Sequence, residues 1–154
     1  MPDRDYDRIL RKAYGIEVQG EALFAAAARV SRNRDRRHKW ETLRDLEAHT
    51  KIRVARAIED DNGVPTPGRW QRVSGTAVGV VAGLLPWRIV MRGVQRVAKH
   101  TTALWQRMER DADGRNAELH RYLVAHEEAQ HAFARQELAG KGTDSLDAVR
   151  ALIA

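Results

Sequence analysis

Glycine and proline are unevenly placed in this sequence of 154 residues: they concentrate between positions 62 and 93, and the remainder is rich in Ala, Leu, Arg and Glu. Residues that lose little side-chain freedom in a helix dominate the outer stretches, while the residues that break helices are held in the middle. The chain is therefore expected to be mainly helical and divided in two by its centre. No repeated alternation of β-branched residues suggests a sheet. At this length one domain spanning 1–154, with a real hydrophobic core, is the expectation.

From about Asp5 to Arg32 the spacing predicts a first helix. Leu10, Tyr14, Glu17, Glu21, Phe24 and Ala28 recur at alternating intervals of four and three, the seam of a bundle helix. Two carboxylates thus fall in an otherwise apolar stripe, which is costly unless they are paired, protonated or bound to a cation. The alternative is a stripe rotated so that both acids lie at its edge. A basic turn over Ser31–Lys39 returns the chain into a second helix from Arg37 to Asp60, with Trp40, Leu43, Glu47, Thr50, Val54 and Ala57 on its seam. With the turn centred near Asn33 to Asp35, Glu21 and Glu47 are equally far from it and are expected to face each other.

Residues 61–68 contain Gly63, Pro65, Pro67 and Gly68, which stop the second helix. The following run, 73–87, carries no charge and places Gly75, Gly79 and Gly83 four apart, so that a neighbouring backbone can approach. It is shorter than the roughly 20 residues a bilayer span requires, which leaves a buried crossover, an interfacial patch or an oligomer contact. Pro86 begins or kinks a third long helix. There Trp87, Val90, Val94, Val97, Thr101, Leu104 and Met108 form a seam opposite a basic row of Arg88, Arg92, Arg96 and Lys99. Residues 111–116 turn the chain into a fourth helix ending near Gly140 to Gly142, and Thr143 or Ser145 caps a short helix from Leu146 to Ile153. The expected architecture is all-α: an antiparallel four-helix bundle with its core over 5–140, a long crossover over 61–86 and a short C-terminal helix.

The fourth helix holds Glu128-x-x-His131, which puts a carboxylate and an imidazole on one face, the unit used by two-metal carboxylate bundles. The sequence has no cysteine, so disulfides, thiolate metal sites and cysteine nucleophiles are excluded and any metal must use His and carboxylates. His126 and His131 are five apart rather than the four a zincin needs. Phosphate loops, nucleophile elbows and dinucleotide fingerprints are absent. The formal charge of +6 and a pI near 10.2 suit an anionic partner, or simply an Arg-rich composition, and there is no specific nucleic-acid signal. Trp70, Leu84, Leu85, Trp87 and Val90 stand beside Arg69, Arg72, Arg88, Arg92 and Arg96, the mix expected at an anionic membrane surface, or else of a segment closing the core with its arginines in water. The face of Gly75, Gly79 and Gly83 admits a homodimer. The acidic opening segment has no apolar stretch of a secretory signal, which makes the cytoplasm the expected location.

Taken together, the chain resembles the ferritin-like superfamily over about residues 5–140. Residues 14–24, with the Gly20-Glu21 pair, are similar to the first helix of rubrerythrin-like proteins, and Glu128-x-x-His131 is similar to the last-helix motif of that group. The glycine-spaced stretch 75–85 and the helix after it resemble, more loosely, the demethoxyubiquinone hydroxylases. The resemblance implies a carboxylate and imidazole metal site formed by Glu21, or Glu17 in its place, with Glu47, Glu128 and His131. It also implies iron, or another divalent metal such as Mn or Zn, and the activity of a non-haem iron oxidoreductase. Two positions depart from the pattern: Thr50 stands where helix two would carry a His, and no carboxylate occurs between Pro86 and Met108. Four ligands remain, enough for one divalent ion. The alternative is a metal-free helical bundle that acts as a binding or assembly module.

Overall fold

The computed structural model describes residues 3–62, 65–66, 68–112, 114 and 116–154. Among these residues it is all-helical, with six helices: α1 (Asp3–Val30), α2 (Arg34–Asn62), α3 (Arg69–Leu84), α4 (Trp87–Asp111), α5 (Ala117–Leu138) and α6 (Asp147–Ile153). There is no strand among the described residues. Gly63, Val64 and Pro67 of the expected helix stop, and Asp113 and Arg115 of the expected turn, lie outside them.

The punctuation acts where simple stereochemistry requires. α1 gives way to α2 across three residues, Ser31–Asn33, and the Asn33 side chain accepts the Arg36 backbone N–H at 3.0 Å, satisfying an orphan donor of the new helix. Pro86, without an N–H of its own, stands at the N-cap of α4. α5 ends in a Schellman-type turn: Gly140 adopts φ 75°, and the Lys141 N–H reaches back to the Gln136 carbonyl at 2.9 Å. The expected cap of α6 is not formed. Ser145 instead gives its hydroxyl to Glu137 at 2.5 Å.

The expected crossover contains a full helix, α3, packed along α1. Its glycines are the reason it lies so close. A Cβ at Gly75 would strike the Gln19 carbonyl oxygen, one at Gly79 that of Leu23, and one at Gly83 would meet Val30 and Ala27. The glycine face that offered a contact to a second copy is thus covered by α1 of the same chain. At about 100° per residue, Trp70, Val73, Val81 and Leu84 fall on the opposite side of α3, and all four are exposed.

Two apolar clusters fill the interior. One joins Phe24, Trp40, Leu43, Leu46, Met91, Phe133 and Val149; the other joins Tyr6, Leu10, Val54, Ile58, Trp105 and Leu123. Between them α1 and α2 run in opposite senses, and so do α4 and α5. On α4 the buried residues are Val90, Met91, Ala98, Trp105 and Met108, so that Val90 and Met108 of the expected seam lie inside while Val97 is 65% exposed. At one end Glu137 ties several segments together. Its carboxylate accepts from Trp87 Nε1 at 2.8 Å and Ser145 Oγ at 2.5 Å, and pairs with buried Lys39 at 2.9 Å.

Candidate metal centre

Where the two apolar clusters meet, the interior turns polar. α1 supplies Glu17, α2 supplies Glu47 and Thr50, and α5 supplies His126, Glu127 and Gln130, all buried. One ligand atom each from Glu17, Glu47 and His126 lies within 4.8 Å of the other two, close enough to hold one cation. Of the expected ligands, the structure brings together Glu17 and Glu47. Glu21 is instead half-buried at the surface, where it pairs with Lys51, and Glu128 is exposed. His131 is only partly buried and stands outside the group.

Both displacements have simple causes. The α1–α2 turn is earlier than expected, at Ser31–Asn33, midway in sequence between Glu17 and Glu47, so Glu17 comes level with Glu47 and Glu21 slides past it. On α5 the inward line is Leu123, Glu127, Gln130 and Ala134, at steps of four, three and four. Glu128 and His131 sit one residue further along, rotated by about 100°. The inward pair is therefore Glu127-x-x-Gln130, and His126, flanking that line, turns into the same layer.

Thr50, at the position without the expected His, orients an imidazole rather than replacing one. Its hydroxyl donates to the Leu46 carbonyl at 2.9 Å and lies 2.7 Å from His126 Nδ1. With the hydroxyl proton committed to Leu46, Nδ1 carries the imidazole proton and donates to Thr50, so the Nε2 lone pair faces the carboxylates. Nε2 is 3.3 Å from Glu47 Oε1. The Gln130 amide nitrogen bridges these two atoms, 2.5 Å from Glu47 Oε1 and 2.7 Å from His126 Nε2. Gly20 makes room for the Glu47 carboxylate, since a Cβ there would overlap Oε2. From α4 the centre receives no carboxylate but an indole: Trp105 Nε1 donates to Glu127 Oε1 at 3.3 Å.

The electrostatics follow from crowding acids out of water. Burial first, then the charges of Glu47 and Glu127, hold the Glu17 carboxyl well above its usual range. Burial also pushes Glu127 up to about 7, against the opposing influence of His126. For His126 burial works to lower the pKa, but the neighbouring Glu47 outweighs it and the net shift is upward. A doubly protonated imidazole would meet the Gln130 amide donor for donor. The amide orientation therefore follows the imidazole's charge: nitrogen toward neutral His126, carbonyl oxygen toward the protonated ring. Glu17 Oε2 is buried without a hydrogen-bond partner.

The remaining histidines do other work. His49 faces the surface, stacked on Tyr122, and accepts from Arg53 Nε at 3.2 Å. His120 is buried against the Tyr6 hydroxyl at 3.0 Å. His100 is exposed. Compared with protein families, curated proteins and solved structures, the chain matches none.

Proposed function

We propose that the chain is a metal-binding protein of ferritin-like type, in which α1, α2, α4 and α5 act as the four helices of a bundle and a mononuclear divalent site lies at their centre. The observation that carries this reading is the buried group of Glu17, Glu47 and His126, with ligand atoms within 4.8 Å of one another and one carboxylate oxygen left without a partner. Burying several acids around one imidazole is unfavourable unless a proton or a cation offsets their charge. Two carboxylates and a neutral imidazole suit Fe(II), Mn(II) or Zn(II). Turned over, the Gln130 amide would offer its oxygen to the same ion.

A bound iron would supply redox and Lewis-acid chemistry, the basis for proposing a non-haem iron oxidoreductase. Around it the chain's own groups have definite tasks. Thr50 fixes the tautomer of His126. Glu127, at about 7, exchanges a proton near neutral pH, the property wanted in an acid or base. The apolar clusters on either side exclude water.

The test is calorimetric titration of chain purified without a metal-affinity tag, using Mn(II), Zn(II) and, under anaerobic conditions, Fe(II). About one equivalent should bind, with affinity lost in Glu47→Gln and retained in Glu128→Gln and His131→Ala. Less than about a tenth of an equivalent for every metal would reject the reading, because affinity follows ligand number and type.

One observation favours a second reading, that of a metal-free bundle serving as a binding or assembly module. The Gln130 amide already bridges Glu47 and His126, as a donor pair would in a centre neutralised by protons. Under that reading Glu17→Gln raises stability and added metal changes nothing.

A further inference from the structure

The charge of this protein is not spread over its surface. Residues 69–108 hold seven Lys and Arg and no Asp or Glu, against a formal charge of +6 for the whole sequence, so the other 114 residues together carry −1. The same stretch holds nine of the ten large hydrophobic side chains that are exposed among the described residues. Trp70 is 75% exposed and Leu84 68%. Both properties meet on α3 and α4. The outward side of α3 presents Trp70, Val73, Val81 and Leu84, and its orientation is fixed because the glycine side is seated on α1. On α4, Ile89 is exposed on the side that carries Arg92 and Arg96, and Val97 is exposed on the groove side; none of Arg92, Arg96 and Lys99 pairs with a carboxylate among the described residues. Between the two helices lies an apolar groove of about 380 Å³, lined by Val78, Val81, Leu85, Ile89 and Val97, with Gln130 in its wall.

We propose that this α3–α4 face docks on an anionic lipid bilayer, with Trp70, Leu84 and their neighbours in the headgroup and acyl boundary and the α4 arginines against lipid phosphates. Apolar bulk beside unpaired cations is the combination an anionic interface rewards, because burial and surface potential act together. No helix among the described residues is long and apolar enough to cross a membrane, so the contact is one of lying on the surface. Nucleic acid would match the charge but leave the valines and leucines in water. A second copy laid on this face would match the apolar surface but set the exposed cations Arg92, Arg96 and Lys99 against their own copies. The groove would then open toward the acyl layer, and its wall reaches the metal centre's own hydrogen-bond network through Gln130.

The proposal does not depend on metal binding, and its test uses the full chain. Co-sedimentation should show binding to vesicles of mixed phosphatidylglycerol and phosphatidylcholine, little binding to phosphatidylcholine alone, and weakening as salt rises. At roughly fivefold per basic residue near the surface, Arg92→Glu with Arg96→Glu should weaken binding at least about 30-fold. Trp70→Ser with Leu84→Ser should weaken it by about tenfold or more. All four positions are exposed, so circular dichroism should show both variants folded. Absence of sedimentation with anionic vesicles at low ionic strength would overturn the proposal, as would affinity unchanged in the double variant that remains folded. So would a dimer in light scattering that Trp70→Ser with Leu84→Ser dissociates, or binding to duplex oligonucleotides in place of vesicles.

Discussion

The centre of the molecule and its α3–α4 face depart from the usual pattern of burial in opposite directions. At the centre three carboxylates and an imidazole lie inside, away from water; on the face tryptophan, leucine and valines lie outside, in it. Each arrangement is unfavourable by itself, and each is held by an ordinary apolar contact next to it. Phe24, Leu46 and Leu123 pack above and below the polar layer; the glycines of α3 lock that helix against α1. The comparison teaches that good packing on one side of an element is what allows the other side to be badly suited to water, and so available to a partner. The first region could hold a cation, and the second is the face proposed to meet a bilayer.

The largest test of that contrast is the glycine contact. Gly79→Leu forces a side chain into the Leu23 carbonyl and should destabilise the protein by about 3 kcal/mol or more in urea unfolding. A loss below about 1 kcal/mol would mean that α3 is not seated there and that its outward face is not fixed.

The second test is the sign of the pH dependence. Glu127 rises from 4.5 to about 7 on folding, and Glu17 rises as well. The native state therefore holds more protons than the unfolded chain between those values, and stability falls as pH rises through the window. His126, also raised, contributes stability that is fully present below its ordinary 6.5 and lost as pH rises through its raised folded value, which is the same direction. Metal-free protein should lose at least about 2.5 kcal/mol between pH 5 and 8. With saturating Mn(II) or Zn(II) the slope should reverse, because bound ligands must be deprotonated. Urea titrations at several pH values, with and without metal, read both slopes. A metal-free slope of the opposite sign would show that the acids are ionised and paired some other way.

The smallest effect is expected on the exposed side. Leu84→Ser removes a side chain that is 68% exposed and should move the urea midpoint by less than about 0.5 kcal/mol in stability. A loss above about 1.5 kcal/mol would place Leu84 in the folded core and remove it from the proposed docking face.

Much of the helical content was legible because Gly and Pro marked its breaks, and the α2 seam from Trp40 to Ala57 is buried at every expected position. What was not legible was rotation and level. A helix seam of mixed residues fixes its azimuth only to about one residue, and one residue is about 100°. On α5 the Glu128-x-x-His131 pair lies one residue off the inward line, and nothing in the sequence marks that offset as sharply as the motif marks the pair. The steps through Leu123, Glu127, Gln130 and Ala134, with Phe133 alongside, were the signal for the inward line. The level of Glu17 against Glu47 depended on a three-residue turn, Ser31–Asn33, inside a longer polar stretch that gave no sharper mark. Thr50 read as a missing imidazole; that its hydroxyl would orient an imidazole from another helix was invisible until the helices were assembled.

Glu137 has a consequence for how the molecule opens. Its carboxylate gathers donors from the start of α4, from the residues before α6 and from α2, and Leu146 and Val149 lie buried in the same apolar cluster as Trp40 and Phe133. Short peripheral helices usually open first, at little free-energy cost. Here α6 cannot lift away without exposing Lys39 and uncovering part of that cluster, so it is expected to open together with the adjoining ends of α2 and α5 and to act as a latch on them.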